Sequence, residues 1–272
     1  MVNNKRDIRT HFGLNSLPFT REVPVNKLWR PDRFKEHLDD LIDVVHERMS
    51  AAVIAPAGAG KTALLRALAD SLPEARFRVH YVKVTRLSGR DFCREVASAV
   101  GCEPAGYYGS LVRKIQERSL ALMDQDALRP VLILDESHDM RPEVLAILRV
   151  LTNFSMDSRL VVSIIIAGQP LLREMLRRED LEAVSRRLAH YASPRLLTRE
   201  ETRQYIQHRL DIAGSDNGVF DDQALEALYE VGKGNLRATD RVALKAMQCA
   251  CRQGDPVVGQ DHVANARQQV SP

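Results

Sequence analysis

Cysteine is scarce in these 272 residues: there are four, Cys93, Cys102, Cys249 and Cys251. None stands in a C-x-x-C pair, and Cys249-Ala250-Cys251 has no second pair to complete a zinc site. That argues against a cysteine-ligated metal centre and a disulfide scaffold, and it predicts four small buried hydrophobes in a reducing compartment. Aromatic residues make up only 5%, with one tryptophan, Trp29. No apolar run approaches the roughly 20 residues a membrane-spanning helix needs. The longest, Leu160 to Gly168, has the length of a strand and contains Ser163. The start, Met1-Val2-Asn3-Asn4-Lys5-Arg6, leads into no apolar core of a secretory signal. These absences predict a cytoplasmic protein with no membrane partner. Charge is nearly balanced, at net +3, but arginine far outnumbers lysine, which suits bidentate contacts to phosphates and carboxylates.

What is present is a core-forming chain with 44% hydrophobic residues and two linked motifs. The first is Ala55-Pro56-Ala57-Gly58-Ala59-Gly60-Lys61-Thr62. Apolar residues through Ile54 predict a strand before it, and Ala63 to Leu68 predict a helix after it, the context a phosphate-binding loop requires. Glycines let backbone N–H groups curl around phosphate oxygens, and the helix N-terminus adds a favourable dipole. Ala57, Gly58, Ala59, Gly60, Lys61, Thr62 and Ala63 are therefore the candidate nucleotide cradle. Lys61 is expected to reach the β- and γ-phosphates of ATP, and Thr62 to ligate Mg²⁺. Ala55 stands where the strict pattern has glycine.

The second motif is Asp135-Glu136, at the end of the continuous apolar run Val131–Leu134, which reads as a strand buried on both faces. Asp135 is expected to hold Mg²⁺ through its water shell, and Glu136 to activate the attacking water. Open α/β sheets bind ligands at the carboxyl ends of their strands. His138 and Asp139 follow; the histidine reads either as a coupler of nucleotide state to motion or as a loop residue ahead of the next helix.

Along the chain, residues 1–30 read as irregular. Leu38, Leu41, Ile42 and Val45 have helical spacing. Strands are predicted at 51–54, 79–84, 131–134, 160–167 and, briefly, 195–197. Helices are predicted at 91–100, 111–122, 142–151, 170–178 and 180–189. Alternation of strands and helices predicts an α/β fold with a parallel sheet. From Thr198 on, only helices are expected. Thr198-Arg199-Glu200-Glu201 is a capping box, Asp221-Asp222-Gln223 opens a second helix, and 235–251 forms a third. The expected domains are 1–195 and 196–272. No repeat or low-complexity segment is evident.

Several stretches together resemble AAA+ ATPases of the ExeA-like group, which takes in transposition ATPases of the MuB, TniB and TnsC type. They are Phe12-Gly13-Leu14 with Pro18-Phe19, Gly58–Thr62, Leu134–Met140, Leu151-Thr152-Asn153, Ala167–Pro170, Leu196–Thr202 and Gly234-Asn235-Leu236-Arg237. The resemblance implies a three-layer nucleotide-binding α/β domain with an N-terminal extension and a small all-helical C-terminal lid. It also implies roles for particular residues. Gln169 matches the sensor of the γ-phosphate or attacking water. Arg186 and Arg187 match the segment that offers an arginine finger to a neighbouring subunit, and Arg237 matches the second sensor, although Leu236 stands where the family usually has proline. Phe12, Phe19 and Trp29 are candidates to pack over the adenine or to be ordinary core.

Long secretion-type relatives continue into a membrane span and a cell-wall-binding domain, which these residues lack, so the resemblance favours a stand-alone ATPase encoded beside a transposase. It implies a homo-oligomeric ring or filament on double-stranded DNA, with a DDE-type transposase or other transposition subunit as partner. Arg86, Arg90, Ser110, Arg113 and Lys114 are the candidate DNA contacts. The alternative is a nucleotide-switched assembly ATPase for a secretion or envelope complex without a DNA role. A helicase-loader-like switch is a third reading.

Overall fold

The computed structural model describes residues 7–215 and 218–270, and in it the chain forms two compact units. The α/β unit spans Arg30–Pro56 and Lys61–Pro194. Its five strands are β1 (Ser50–Ile54), β2 (Phe77–Lys83), β3 (Arg129–Asp135), β4 (Ser163–Gly168) and β5 (Leu188–Ala192). They lie in the order β2-β3-β4-β1-β5, and every pairing is parallel.

Parallel strands need crossover connections, and these supply the flanking helices. After a short α1 (Ile8–Phe12) come α2 (Asp32–His46), α3 (Lys61–Ser71), α4 (Gly89–Ala99), α5 (Tyr108–Asp124), α6 (Pro142–Leu145), α7 (Ile147–Leu151), α8 (Leu171–Leu176) and α9 (Glu182–Ser185). The period-2 alternation of the strands sorts side chains to two buried faces. Ala52, Ile54, Val82, Leu132, Leu134, Ile164 and Ile166 join one cluster with Phe92, Val96, Leu111, Ile115, Leu145 and Leu172 from α4 to α8. Ala51, Val53, Val131, Ile133, Ile165 and Ala167 are buried on the other face, where α2 packs on β1, β5 and α3.

The helical unit holds the described residues of 7–29, the short stretch Ala57–Gly60 and the described residues from Arg195 to 270. Its helices are α10 (Arg199–Asp211), α11 (Asp222–Gly232), α12 (Leu236–Gln253) and α13 (Gln260–Val270). The expected capping box opens α10: Thr198 Oγ1 accepts from Glu201 N at 3.2 Å, and Glu201 Oε2 accepts from Thr198 N at 2.8 Å. Asp221 and Asn235 cap α11 and α12 in the same manner.

Four expectations are corrected. Residues 180–189 are not one helix: a 3₁₀ turn (Glu179–Leu181) and α9 give way to β5 at Leu188. Residues 195–197 form no strand; Arg195 instead pairs with Glu201, and Leu197 N donates to Gly234 O. The helix expected over 142–151 is two short ones. The N-terminal segment, expected with the α/β domain, belongs to the helical unit, where Leu14 and Phe19 are buried with Ile206, Phe220 and Met247. Phe19 meets Phe220 edge to face, Phe12 packs against the same cluster, and the half-buried Trp29 meets Tyr205 edge to face. Among the described residues, no helix is long and apolar enough to cross a membrane.

Candidate functional site at the carboxyl rim of the sheet

The register of three adjacent strands brings the two sequence motifs to one rim. Leu134 of β3 lies opposite Ile166 of β4, which lies opposite Ala52 of β1. One step further along, Asp135 ends β3, while β4 ends at Gly168 and β1 at Ile54. Ala55 N donates to Gly168 O at 3.1 Å, tying the start of the loop to the end of β4. Gln169 follows Gly168 directly. Gly168 has no room for a side chain: an added Cβ would stand 2.9 Å from Leu172 Cδ2 and 3.1 Å from His138 N.

Between β1 and α3 the loop turns on Gly58 (φ +77) and Gly60 (φ +92), a region closed to most side chains. Lys61 opens α3 and is buried; its Nζ donates to Ala55 O at 2.8 Å and Pro56 O at 3.1 Å, arching over the loop. The first N–H groups of α3 have no intrahelical partner and face the loop, as at any helix start. Thr62 is exposed beside Lys61. Within the helical unit, Asn235 is bonded to the stretch Ala57–Gly60. Its Nδ2 donates to Ala57 O at 2.9 Å while its Oδ1 caps α12, and Leu236 N donates to Gly58 O at 3.0 Å. A Cβ on Gly58 would fall 2.0 Å from Asn235 Oδ1. A proline at the Leu236 position would have no N–H to make this bond. Arg237 is the next residue, exposed in the first turn of α12.

On β3, Asp135 is buried, at 3% exposure. Its Oδ2 accepts from Tyr81 Oη at 3.1 Å and its Oδ1 from Glu136 N at 2.9 Å. Burial, reinforced by the charge of Asp135, pushes the Tyr81 phenol up to about 12, so Tyr81 remains a donor at any working pH. Glu136 takes a left-handed conformation (φ 60, ψ 32), uncommon for a residue with a side chain. Such outliers persist where surrounding structure over-determines them, typically at functional sites. Ser137, in the turn after β3, is buried and donates through Oγ to Leu134 O at 2.9 Å. His138 Nε2 lies 2.8 Å from Gln169 Nε2, and His138 Nδ1 lies 3.5 Å from Glu136 Oε2. Glu136 Oε2 and His138 Nδ1 are buried without a hydrogen-bond partner.

The residues fit a magnesium–nucleotide. Gly58 and Gly60 take positive φ, the buried Lys61 ammonium opens α3, and Asp135 and Thr62 offer a carboxylate and a hydroxyl, the hard oxygens Mg²⁺ prefers. Among the described residues no cluster of three or more His, Cys, Asp or Glu could hold a metal ion.

The other candidates lie elsewhere. Arg186 and Arg187 precede β5 and so sit at the amino end of the sheet, opposite the loop rim. Arg186 is exposed and pairs with Glu182 at 2.6 Å; Arg187 is half-buried, pairs with Asp157 and donates to Ala183 O at 3.0 Å. Arg86, Arg90 and Arg113 are exposed and Ser110 and Lys114 partly so, around α4 and α5. Arg90 Nε donates to Gly106 O at 3.2 Å and Lys114 Nζ to Ala105 O at 3.0 Å. These two basic groups brace the α4–α5 loop and leave Tyr107 86% exposed at its tip. The Tyr81–Asp135 and Asn235–Ala57 bonds are what sequence reasoning missed, because the partners lie far apart along the chain.

Comparison with known proteins follows the geometry. Residues 44–176 match the AAA domain family. The chain is 26% identical over 264 residues to general secretion pathway protein A of Aeromonas hydrophila, covering 96% of this chain and 48% of that protein. It is 23% identical over 273 residues to ORC1-type DNA replication protein 2 of Saccharolobus solfataricus, covering 92% and 65%. The chain thus spans about half the length of the first relative and just under two thirds of the second. Among solved structures, Cdc6p from Pyrobaculum aerophilum superposes with a TM-score of 0.75 at 17% identity, covering 93% of this chain and 70% of that one. The Aeropyrum pernix ORC1 protein in complex with DNA gives 0.69 at 19%, covering 93% and 68%. At these identities the structural likeness is one of fold, and the five-stranded parallel AAA+ architecture is the one the resemblance implied.

Proposed function

We propose that this chain, an AAA+ ATPase related to general secretion pathway protein A and to proteins of the ORC/Cdc6 type, couples Mg²⁺-dependent hydrolysis of ATP to assembly on double-stranded DNA and so regulates a partner transposase or other transposition subunit. The observation that carries the chemistry is the shared rim: the phosphate loop, Asp135-Glu136 and Gln169 leave three neighbouring parallel strands at one level. The loop N–H groups and Lys61 would hold the phosphates. Thr62 and Asp135 would hold Mg²⁺, which when bound offsets the charge of the phosphate oxygens. Glu136 would take the proton of the attacking water, with Gln169 orienting that water. Arg237 would add a further cation for the nucleotide phosphates.

Arg186 and Arg187, at the opposite rim, would serve a neighbouring copy's site, so that turnover requires a ring or filament. An arginine supplied in trans contributes about 10³–10⁵ to turnover. Arg86, Arg90, Ser110, Arg113 and Lys114 would contact DNA phosphates, giving sequence-neutral, salt-sensitive binding. Support for a DNA role is the exposed arginine face around α4 and α5 and the fold shared with an ORC1 protein solved with DNA.

A mobility-shift assay on long duplex with a non-hydrolysable ATP analogue tests this reading. Retardation that needs nucleotide and fades with salt is expected; none at low salt overturns the DNA role. The alternative, a nucleotide-switched assembly ATPase for a secretion or envelope complex, draws on the 96% coverage by the secretion relative. Hydrolysis indifferent to DNA would favour it.

A further inference from the structure

We propose that His138 is a positioning residue that links Gln169 to Glu136 across the rim, and this rests on the reading of Glu136 as the base. His138 occupies the 3₁₀ turn Ser137–Asp139, immediately beyond β3, with a side chain only 11% exposed. The amide nitrogen of Gln169 faces its Nε2 at 2.8 Å. An amide nitrogen only donates, so Nε2 accepts, and the neutral ring carries its proton on Nδ1. That Nδ1–H points toward Glu136 Oε2, 3.5 Å away. Both atoms are buried and otherwise without a partner, so each is the natural complement of the other, and a small rotation of either side chain closes the bond.

The backbone is built for this approach. Glu136 stands in the left-handed region, Ser137 pins the turn to Leu134 O, and Gly168 leaves the space that the His138 amide occupies. Gln169 thereby fixes the tautomer of His138, and His138 holds one carboxylate oxygen of Glu136, which leaves the other oxygen for the water. This is the logic by which outer partners orient a reacting group. It joins residues 31 positions apart in the chain. When Gln169 turns to a terminal phosphate, the ring loses the partner that fixes its proton, and the state of the phosphate reaches the base through one imidazole.

The test is steady-state hydrolysis and ATP affinity for the full chain carrying His138→Phe, His138→Asn, His138→Gln or Glu136→Gln. His138→Phe keeps ring volume without either nitrogen; turnover is expected to fall about 10–100-fold with ATP affinity within about twofold of wild type. His138→Asn retains a donor at the Nδ1 position and should recover most of the loss, whereas His138→Gln should recover less. Equal turnover in wild type and His138→Phe, with Glu136→Gln inactive, overturns the role of His138 and spares that of Glu136. Normal turnover in Glu136→Gln overturns the reading of the base itself. Should His138→Phe not fold, the order of the Asn and Gln variants decides: equal values overturn the proposal.

Discussion

Two buried polar clusters, one in each unit, obey opposite rules. In the helical unit, Arg209 is 5% exposed and bonded through both terminal nitrogens, with its Nε left without a hydrogen-bond partner. Its Nη1 donates to Tyr205 Oη at 2.7 Å and to both oxygens of Asp240 at 3.1 and 3.0 Å, and its Nη2 donates to Thr20 O at 2.7 Å. Tyr205 Oη donates to Asp240 at 2.8 Å, and the guanidinium lies over the rings of Phe19 and Tyr205. In the α/β unit, Glu136 Oε2 and His138 Nδ1 are left facing each other unbonded. A satisfied network fixes one arrangement, here the N-terminal segment on α10 and α12. An unsatisfied pair costs stability and is retained where chemistry needs a group to change partners. The contrast lies in the bonding of the buried atoms, since the Glu136 side chain as a whole is 27% exposed.

The largest effect that tests this contrast is on turnover. Glu136→Gln should lower hydrolysis about 10²–10⁴-fold while leaving ATP binding and the melting temperature nearly unchanged. A large loss of thermal stability would break the contrast. Arg209→Met should do the reverse. Breaking a buried pair costs about 3–5 kcal/mol, so the denaturant midpoint should drop while hydrolysis per folded molecule holds.

A subtler effect is the pH response. Burial raises the Asp240 carboxyl from 3.8 to about 6, against the pull of Arg209. A carboxyl raised in the folded state binds its proton more tightly there, so its contribution is complete below about pH 4 and is lost as pH climbs through about 6. Compared with Asp240→Asn, wild-type stability should therefore fall across that window and then level off; a rise would refute the assignment. The smallest effect should come from Leu236→Pro. Proline is welcome at the first position of a helix, so the change removes only the donor to Gly58 O, worth about 0.5–1.5 kcal/mol. Titration should show ATP affinity altered by less than about tenfold.

How far the sequence reached follows from the range of each signal. The strand–loop–helix around Lys61 and the apolar run ending in Asp135 were legible because their chemistry is contiguous. The capping box at Thr198 was legible for the same reason. β5 was misread because Leu188–Ala192 is an edge strand exposed at its middle positions, so its alternation is weak and the arginines before it read as a helix end. α13 was missed because Gln260–Val270 is mostly polar, with His262, Val263 and Ala266 among its buried residues. The N-terminal segment was placed in the wrong unit because its cation, Arg209, lies 189 residues from Thr20. The links Tyr81–Asp135, His138–Gln169 and Asn235–Ala57 are invisible until the fold closes them.

The backbone of Glu136 has a consequence for engineering. Holding a side-chain-bearing residue in the left-handed region costs roughly 1–2 kcal/mol that glycine does not incur. Glycine at that position would therefore give a hardier molecule with no carboxylate. A laboratory selection that rewarded heat tolerance alone would be drawn to this codon and would return robust, inert protein.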